Sequence, residues 1–176
     1  MKRKARVMLT QTCPRDCDEC CNKYSTTIES LETLKDRAAL LNFDEIMLTG
    51  GEPMLYPGYV LEVATWLKNN GKKVYLYTTM WAYWLGEELL DVLDGVHYTC
   101  HHPFSGDDPH NLHDFFEDIR GRDGSYRLTL DPAIDKPVSL EPASLSQIKV
   151  LEWIKDCPLP EEKLYLLEET CYYSGR

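Results

Sequence analysis

Cys13, Cys17 and Cys20 stand in the run C-P-R-D-C-D-E-C, a C-x3-C-x2-C spacing. Thiolates are soft ligands that suit iron–sulfur clusters and zinc. Three on one tight loop can hold three irons of a cubane cluster, leaving the fourth to a ligand from outside the protein. Sites that only carry electrons usually close with a fourth thiolate. The spacing therefore points to chemistry on a bound small molecule. Zinc is the competing reading, but structural zinc closes with four ligands, and no matching second half follows Cys17 and Cys20. Cys21 competes with Cys20 for the third position, and the spacing favours Cys20. Cys100, Cys157 and Cys171 are isolated, so one cluster is expected.

A second motif follows the apolar run Ile46, Met47, Leu48: Thr49, Gly50, Gly51, Glu52 and Pro53, reading T-G-G-E-P. Two glycines let a backbone approach a ligand closely and adopt unusual dihedrals. Pro53 keeps Glu52 out of the helical region, so its carboxylate is expected to project off a strand end. Taken together, in this order and at this separation, the cysteine triplet and T-G-G-E-P resemble the radical S-adenosylmethionine (SAM) enzyme family. The resemblance implies a [4Fe–4S] cluster on Cys13, Cys17 and Cys20, whose open iron chelates SAM. One electron from the cluster then splits SAM into methionine and a 5′-deoxyadenosyl radical, which abstracts hydrogen from a substrate. It also implies SAM contacts from Gly50, Gly51, Glu52 and Pro53, with Glu52 accepting from the methionine ammonium. An electron donor such as flavodoxin or ferredoxin is implied as well. One residue departs from the pattern. Most of the family has an aromatic before the last cysteine, near the adenine; here it is Glu19.

These motifs need elements to hold them. Strands are expected at Ala5–Thr12, Glu45–Thr49, Lys73–Thr79, Val96–His101, Tyr126–Leu130 and Lys163–Glu168. Helical spacing links Leu31, Leu34, Ala38 and Leu41, and again Val60, Val63 and Leu67 behind Pro57, with Gly71 as the stop. Further helices are expected over Leu85–Leu93, around Leu112, Phe115, Phe116 and Ile119, and from the capping-box pattern at Ser144 and Gln147 to about Asp156. The longest irregular stretch, Asp131–Pro142, holds three prolines. Alternating strands and helices imply an α/β fold with a parallel sheet. A full eight-fold barrel takes about 250 residues. The resemblance accordingly implies a partial, open (β/α)6 TIM-like barrel, one domain over residues 1–176.

Sites in such folds lie at the carboxyl ends of the strands, where both motifs would stand side by side. Thr78 and Thr79 end the third expected strand. The resemblance gives them a SAM contact, while β-branched residues also simply fit a strand. Cys100 and His101 end the fourth and are candidate catalytic groups, each with a structural alternative: Cys100 buried on the opposite face, His101 hydrogen-bonded in place. Trp81, Tyr83 and Trp84 read as core or as a substrate platform. Asp107, Asp108, His110 and His113 form only a loose resemblance to a metal cluster.

The net charge of −10, with 19 Lys and Arg against 29 Asp and Glu, argues against a nucleic-acid surface. No apolar run nears the roughly 20 residues of a membrane span. The apolar stretch behind the basic start is too short for a secretory signal, so a cytoplasmic location is expected. An open barrel side with little chain left for a lid suits a protein or peptide substrate, as for an activase of glycyl-radical proteins. The alternatives are a small-molecule enzyme resembling 7-carboxy-7-deazaguanine synthase and, in another class, a non-catalytic metal-binding or electron-transfer module.

Overall fold

Along the central strands every second residue is buried and mostly apolar, and that alternation sets the two faces of the sheet. The computed structural model describes residues 2–15, 17, 20, 29–104, 106–134, 145–150 and 163–168. Among these, eight strands form one all-parallel sheet: Lys4–Met8 (β1), Glu32–Leu34 (β2), Glu45–Thr49 (β3), Lys73–Thr78 (β4), Gly95–Cys100 (β5), Ser125–Leu130 (β6), Gln147–Val150 (β7) and Leu164–Leu167 (β8). Their order is β2-β8-β1-β3-β4-β5-β6-β7, and the end strands do not pair with each other. The architecture is an open α/β fold of partial TIM-barrel type.

The outer face is the core. Val7, Leu48, Leu76, Val96 and Tyr126 lie in one register row across five strands. They pack against three helices, Pro57–Asn69 (α1), Gly86–Val92 (α2) and Asp108–Ile119 (α3). Pro57 opens α1, where its missing N–H costs nothing. Gly71, at φ +71°, closes it: Gly71 N donates to Lys68 O and Lys72 N to Leu67 O, a Schellman arrangement. Phe115 of α3 stacks on Tyr98 and meets Trp81 edge-on, each at 5.1 Å. The buried Trp81 donates to Asp118 (2.7 Å). Trp81 is thus core, whereas Tyr83 and Trp84 are exposed.

The inner face is polar. Tyr77, His97 and Arg127 share one row, and Arg6, Met47 and Tyr75 another. Parallel sheets normally bury apolar residues on both faces; polar residues here mark a lumen.

All six expected strands are present, and the structure adds two at the sheet's ends. Where helical spacing suggested a helix through Leu31, Leu34, Ala38 and Leu41, the chain forms β2 and then a 3-10 turn, Arg37–Asn42. The buried residues are Leu34 and Leu40, Ala38 is exposed, and Asp36 caps Ala38 N (2.7 Å), starting a tight turn instead. At the other end Gln147–Val150 is a strand, not the start of a helix. Ser146 anchors it to β6: its N and Oγ both donate to Tyr126 O (2.7 Å each). The rest of that expected helix, and residues 135–142, lie outside the described residues. The last expected strand, β8, does not join the far edge beside β6. It inserts between β1 and β2.

Candidate active site at the carboxyl ends of the strands

Both motifs leave neighbouring strands, β1 and β3, at the same end of the sheet. Leu9 N donates to Thr49 O (2.8 Å), Gly51 N to Thr10 O (2.7 Å) and Glu52 N to Thr12 O (2.8 Å), so the two segments extend the ladder past the strands. That approach dictates the glycines. A Cβ on Gly50 would stand 2.3 Å from Thr10 O, and one on Gly51 2.2 Å from Thr12 O. Gly50 also sits at φ +143°, a conformation that L side chains rarely adopt. The close approach expected of this glycine pair is to the backbone leading into the cysteine loop.

Glu52 is extended, as Pro53 requires, but wholly buried. Its Oε1 accepts from Thr78 Oγ1 (2.5 Å) and Met54 N (2.8 Å); its Oε2 accepts from Thr79 N and Thr79 Oγ1 (2.8 Å each). Four donors occupy the lone-pair sites of a carboxylate. Burial pushes the Glu52 carboxyl up, against the pull of these bonds. Instead of standing clear of the strand end, the side chain ties the T-G-G-E-P turn to the end of β4. Thr78 and Thr79 are thereby joined to Glu52, and the buried Pro53 opens a short 3-10 turn, Pro53–Leu55.

Cys13, Cys17 and Cys20 are half-buried cysteines of one loop, with Cys20 N donating to Cys17 O (3.2 Å). The Cys13 thiol is pushed up to about 11, first by burial, with the nearby charges of Glu52, Cys20 and Cys17 adding to it. Thiolates this close repel one another unless a cation lies among them, so the donor set fits an iron–sulfur cluster. Among the described residues, no three His, Cys, Asp or Glu side chains already converge as metal ligands do. Final closure of such a loop is coupled to metal binding. Glu19, Cys21, Cys157 and Cys171 lie outside the described residues.

Arg15, between the first two cysteines, is the functional residue that the motifs do not announce. Its Nε donates to Thr79 Oγ1 (3.2 Å), its Nη1 to Pro103 O (3.4 Å), and its Nη2 pairs with Asp108 at the start of α3. A continuous chain therefore runs from Asp108 through Arg15 and Thr79 to Glu52. A cavity of about 420 Å³ opens beside it, lined by Arg15, Cys17, Met80, His102, Asp108 and Asn111 among others. Asp108 serves this ion pair, and His110 and His113 join no metal-type group among the described residues.

The two catalytic candidates part ways. Cys100 faces the core with Val96 and Tyr98, and burial pushes its thiol up to about 12. His101 is buried at the strand end, and burial, with Arg15 adding to it, pushes its imidazole down to about 4. At neutral pH it is an uncharged ring within the fields of Arg15 and Asp131.

Comparison with curated proteins returned no match. The radical SAM superfamily model matches residues 7–132, well over half of the chain and all but the first residues of the stretch from β1 to β6. Enzymes of this family work with a [4Fe–4S] cluster and SAM, and they need a substrate and a reductant. Both motifs, the strands β2 to β6 and the end at which the motifs meet fall within the match, and the chain belongs to the radical SAM superfamily.

Proposed function

We propose that Cys13, Cys17 and Cys20 hold the cluster, and that Gly50, Gly51, Glu52, Pro53, Thr78 and Thr79 form the SAM-binding end of β3 and β4. When bound, the cluster and SAM supply the one-electron cleavage that yields the hydrogen-abstracting radical. The observation that carries this reading is the run of bonds joining the cysteine loop to the T-G-G-E-P turn and that turn to Thr78 and Thr79. The chain's own contribution is placement. Glu52 takes up an ammonium by exchanging one of its four donors, and the Thr79 hydroxyl, the link to Arg15, is the one exchanged. Arg15 holds the loop against α3, and the neutral His101 keeps a second positive charge away from that end.

The substrate reading is a protein or peptide. It is supported by the open sheet, whose end strands β2 and β7 do not pair with each other, and by Ile148 and Val150, which stay exposed on β7. An exposed edge is where an extended polypeptide can add. We read residues 1–176 as one core domain. Its place is the cytoplasm, where free thiols persist and a flavodoxin or ferredoxin can supply the electron. No described helix is long and apolar enough to cross a membrane.

Anaerobic reconstitution with iron and sulfide, then dithionite and SAM, tests the reading. Wild-type protein is expected to release 5′-deoxyadenosine, and Cys17→Ala to lose both the cluster absorption and the product. An intact cluster with no 5′-deoxyadenosine would leave a metal-binding or electron-transfer module instead.

A further inference from the structure

A second cavity, of about 350 Å³, lies at the opposite end of the lumen, where the strands begin. Its charged groups lie toward the starts of the strands, away from the cysteine loop: Arg127 lies four residues before Asp131, the residue after β6, about 13 Å at the strand rise. Its walls reverse the sign of the whole chain. The molecule carries −10, yet among the described residues Lys4, Arg6, Arg127 and Lys163 meet here against one carboxylate, Glu45. That carboxylate is already engaged by Lys2 (2.9 Å) and Lys4 (3.1 Å). Among the described residues, Arg127 and Lys163 have no carboxylate partner. Arg6 lies over the Tyr77 ring, 4.9 Å from its centre.

His97 lies at the centre of these groups. Its Nε2 is 2.7 Å from Thr129 Oγ1, its ring packs against Tyr77, and its buried Nδ1 has no hydrogen-bond partner among the described residues. Its imidazole is pushed down to about 4, first by burial, then by the fields of Arg127, Arg6 and Lys149. The field of these cations is thus felt at His97. A recess with an excess of one sign of charge concentrates counter-ions. Guanidinium groups bind carboxylate and phosphate through paired, charge-assisted hydrogen bonds. The volume falls in the range of small-ligand sites.

We propose that this amino-end mouth of the lumen is an anion-binding site, built by Arg6, Arg127 and Lys163 around His97, that takes a phosphate or carboxylate group. It stands apart from the cluster and SAM, so it can be tested without either. The full chain, with histidines isotopically labelled, is titrated with inorganic phosphate at constant ionic strength, and His97 is assigned with His97→Gln. Phosphate is expected to saturate, to move the His97 signals and to raise the pH at which they titrate. The exposed pair Arg127→Gln and Lys163→Gln should weaken phosphate binding at least tenfold. Arg122→Gln, which removes a partner of Asp91 outside the cavity, should change it less than twofold. Unmoved His97 signals, or equal phosphate affinity in the paired variant and the wild type, would overturn the site. Competition identifies the carrier. Displacement of phosphate by a short Asp/Glu peptide places the anion on a peptide, and resistance to it places the anion on a free small molecule; either outcome upholds the site.

Discussion

Arg15 joins three parts of the molecule through one guanidinium: Thr79 after β4, the Pro103 carbonyl and Asp108 of α3. Both members of its ion pair are about 14% exposed, so removing the arginine takes a charge partner from a largely buried carboxylate. Losses of this kind cost more than those of surface pairs. Arg15→Ala is expected to lower stability by about 1–3 kcal/mol in urea titration and to open residues 13–20 to limited proteolysis. An unchanged cleavage pattern would show that the loop is held by other contacts. The sequence makes the cysteines readable because their spacing is local and the chemistry of thiolates is narrow. The Arg15–Asp108 pair spans 93 positions, and no local pattern encodes such a partner. Glu52 lies between these cases. Its extended backbone follows from Pro53, but the direction of its side chain depends on Thr78 and Thr79, which a separate strand delivers.

At the scale of elements, the central strands were legible because period-two burial over five or six residues is a strong signal. The end strands β2 and β7 were not. β2 has three residues with only Leu34 buried, and every residue of β7 is exposed, so neither carries a buried alternation. Their pairing with β8 and β6 decides their state, overriding the helical spacing at Leu31–Leu41 and the capping-box pattern at Ser144. β5 has a measurable consequence for pH. His97 and His101 both titrate near 4 in the fold, below the 6.5 of a free imidazole. Between those values the unfolded chain binds more protons, so stability falls as pH falls. In phosphate-free buffer, His97→Gln should therefore flatten the fall in urea midpoint between pH 6.5 and 4. Its share is on the order of 2 kcal/mol. A slope identical to the wild type would mean that His97 is solvated and ordinary.

Across the whole molecule, charge and topology divide the work between the two ends of one lumen. The cysteine loop, the T-G-G-E-P turn and the buried Glu52 gather at the carboxyl ends of the strands, and the cationic recess lies at their amino ends. The family match covers β1 to β6, while β7 and β8 lie beyond it. The strands out of sequence order in the sheet are β2, which lies within the match, and β8, which lies beyond it. Alternation of strands and helices was enough to foresee a parallel, open sheet. It was not enough to foresee that β8 returns to lie beside β1, because order within a sheet is set by long-range pairing. The most direct measurement is the electron paramagnetic resonance spectrum of anaerobically reconstituted, dithionite-reduced protein before and after addition of SAM. On the proposed ligation by three cysteines one iron stays open, so SAM is expected to change the spectrum of the reduced cluster. An intact cluster whose spectrum SAM leaves unaltered would contradict the open iron on which the proposed chemistry depends.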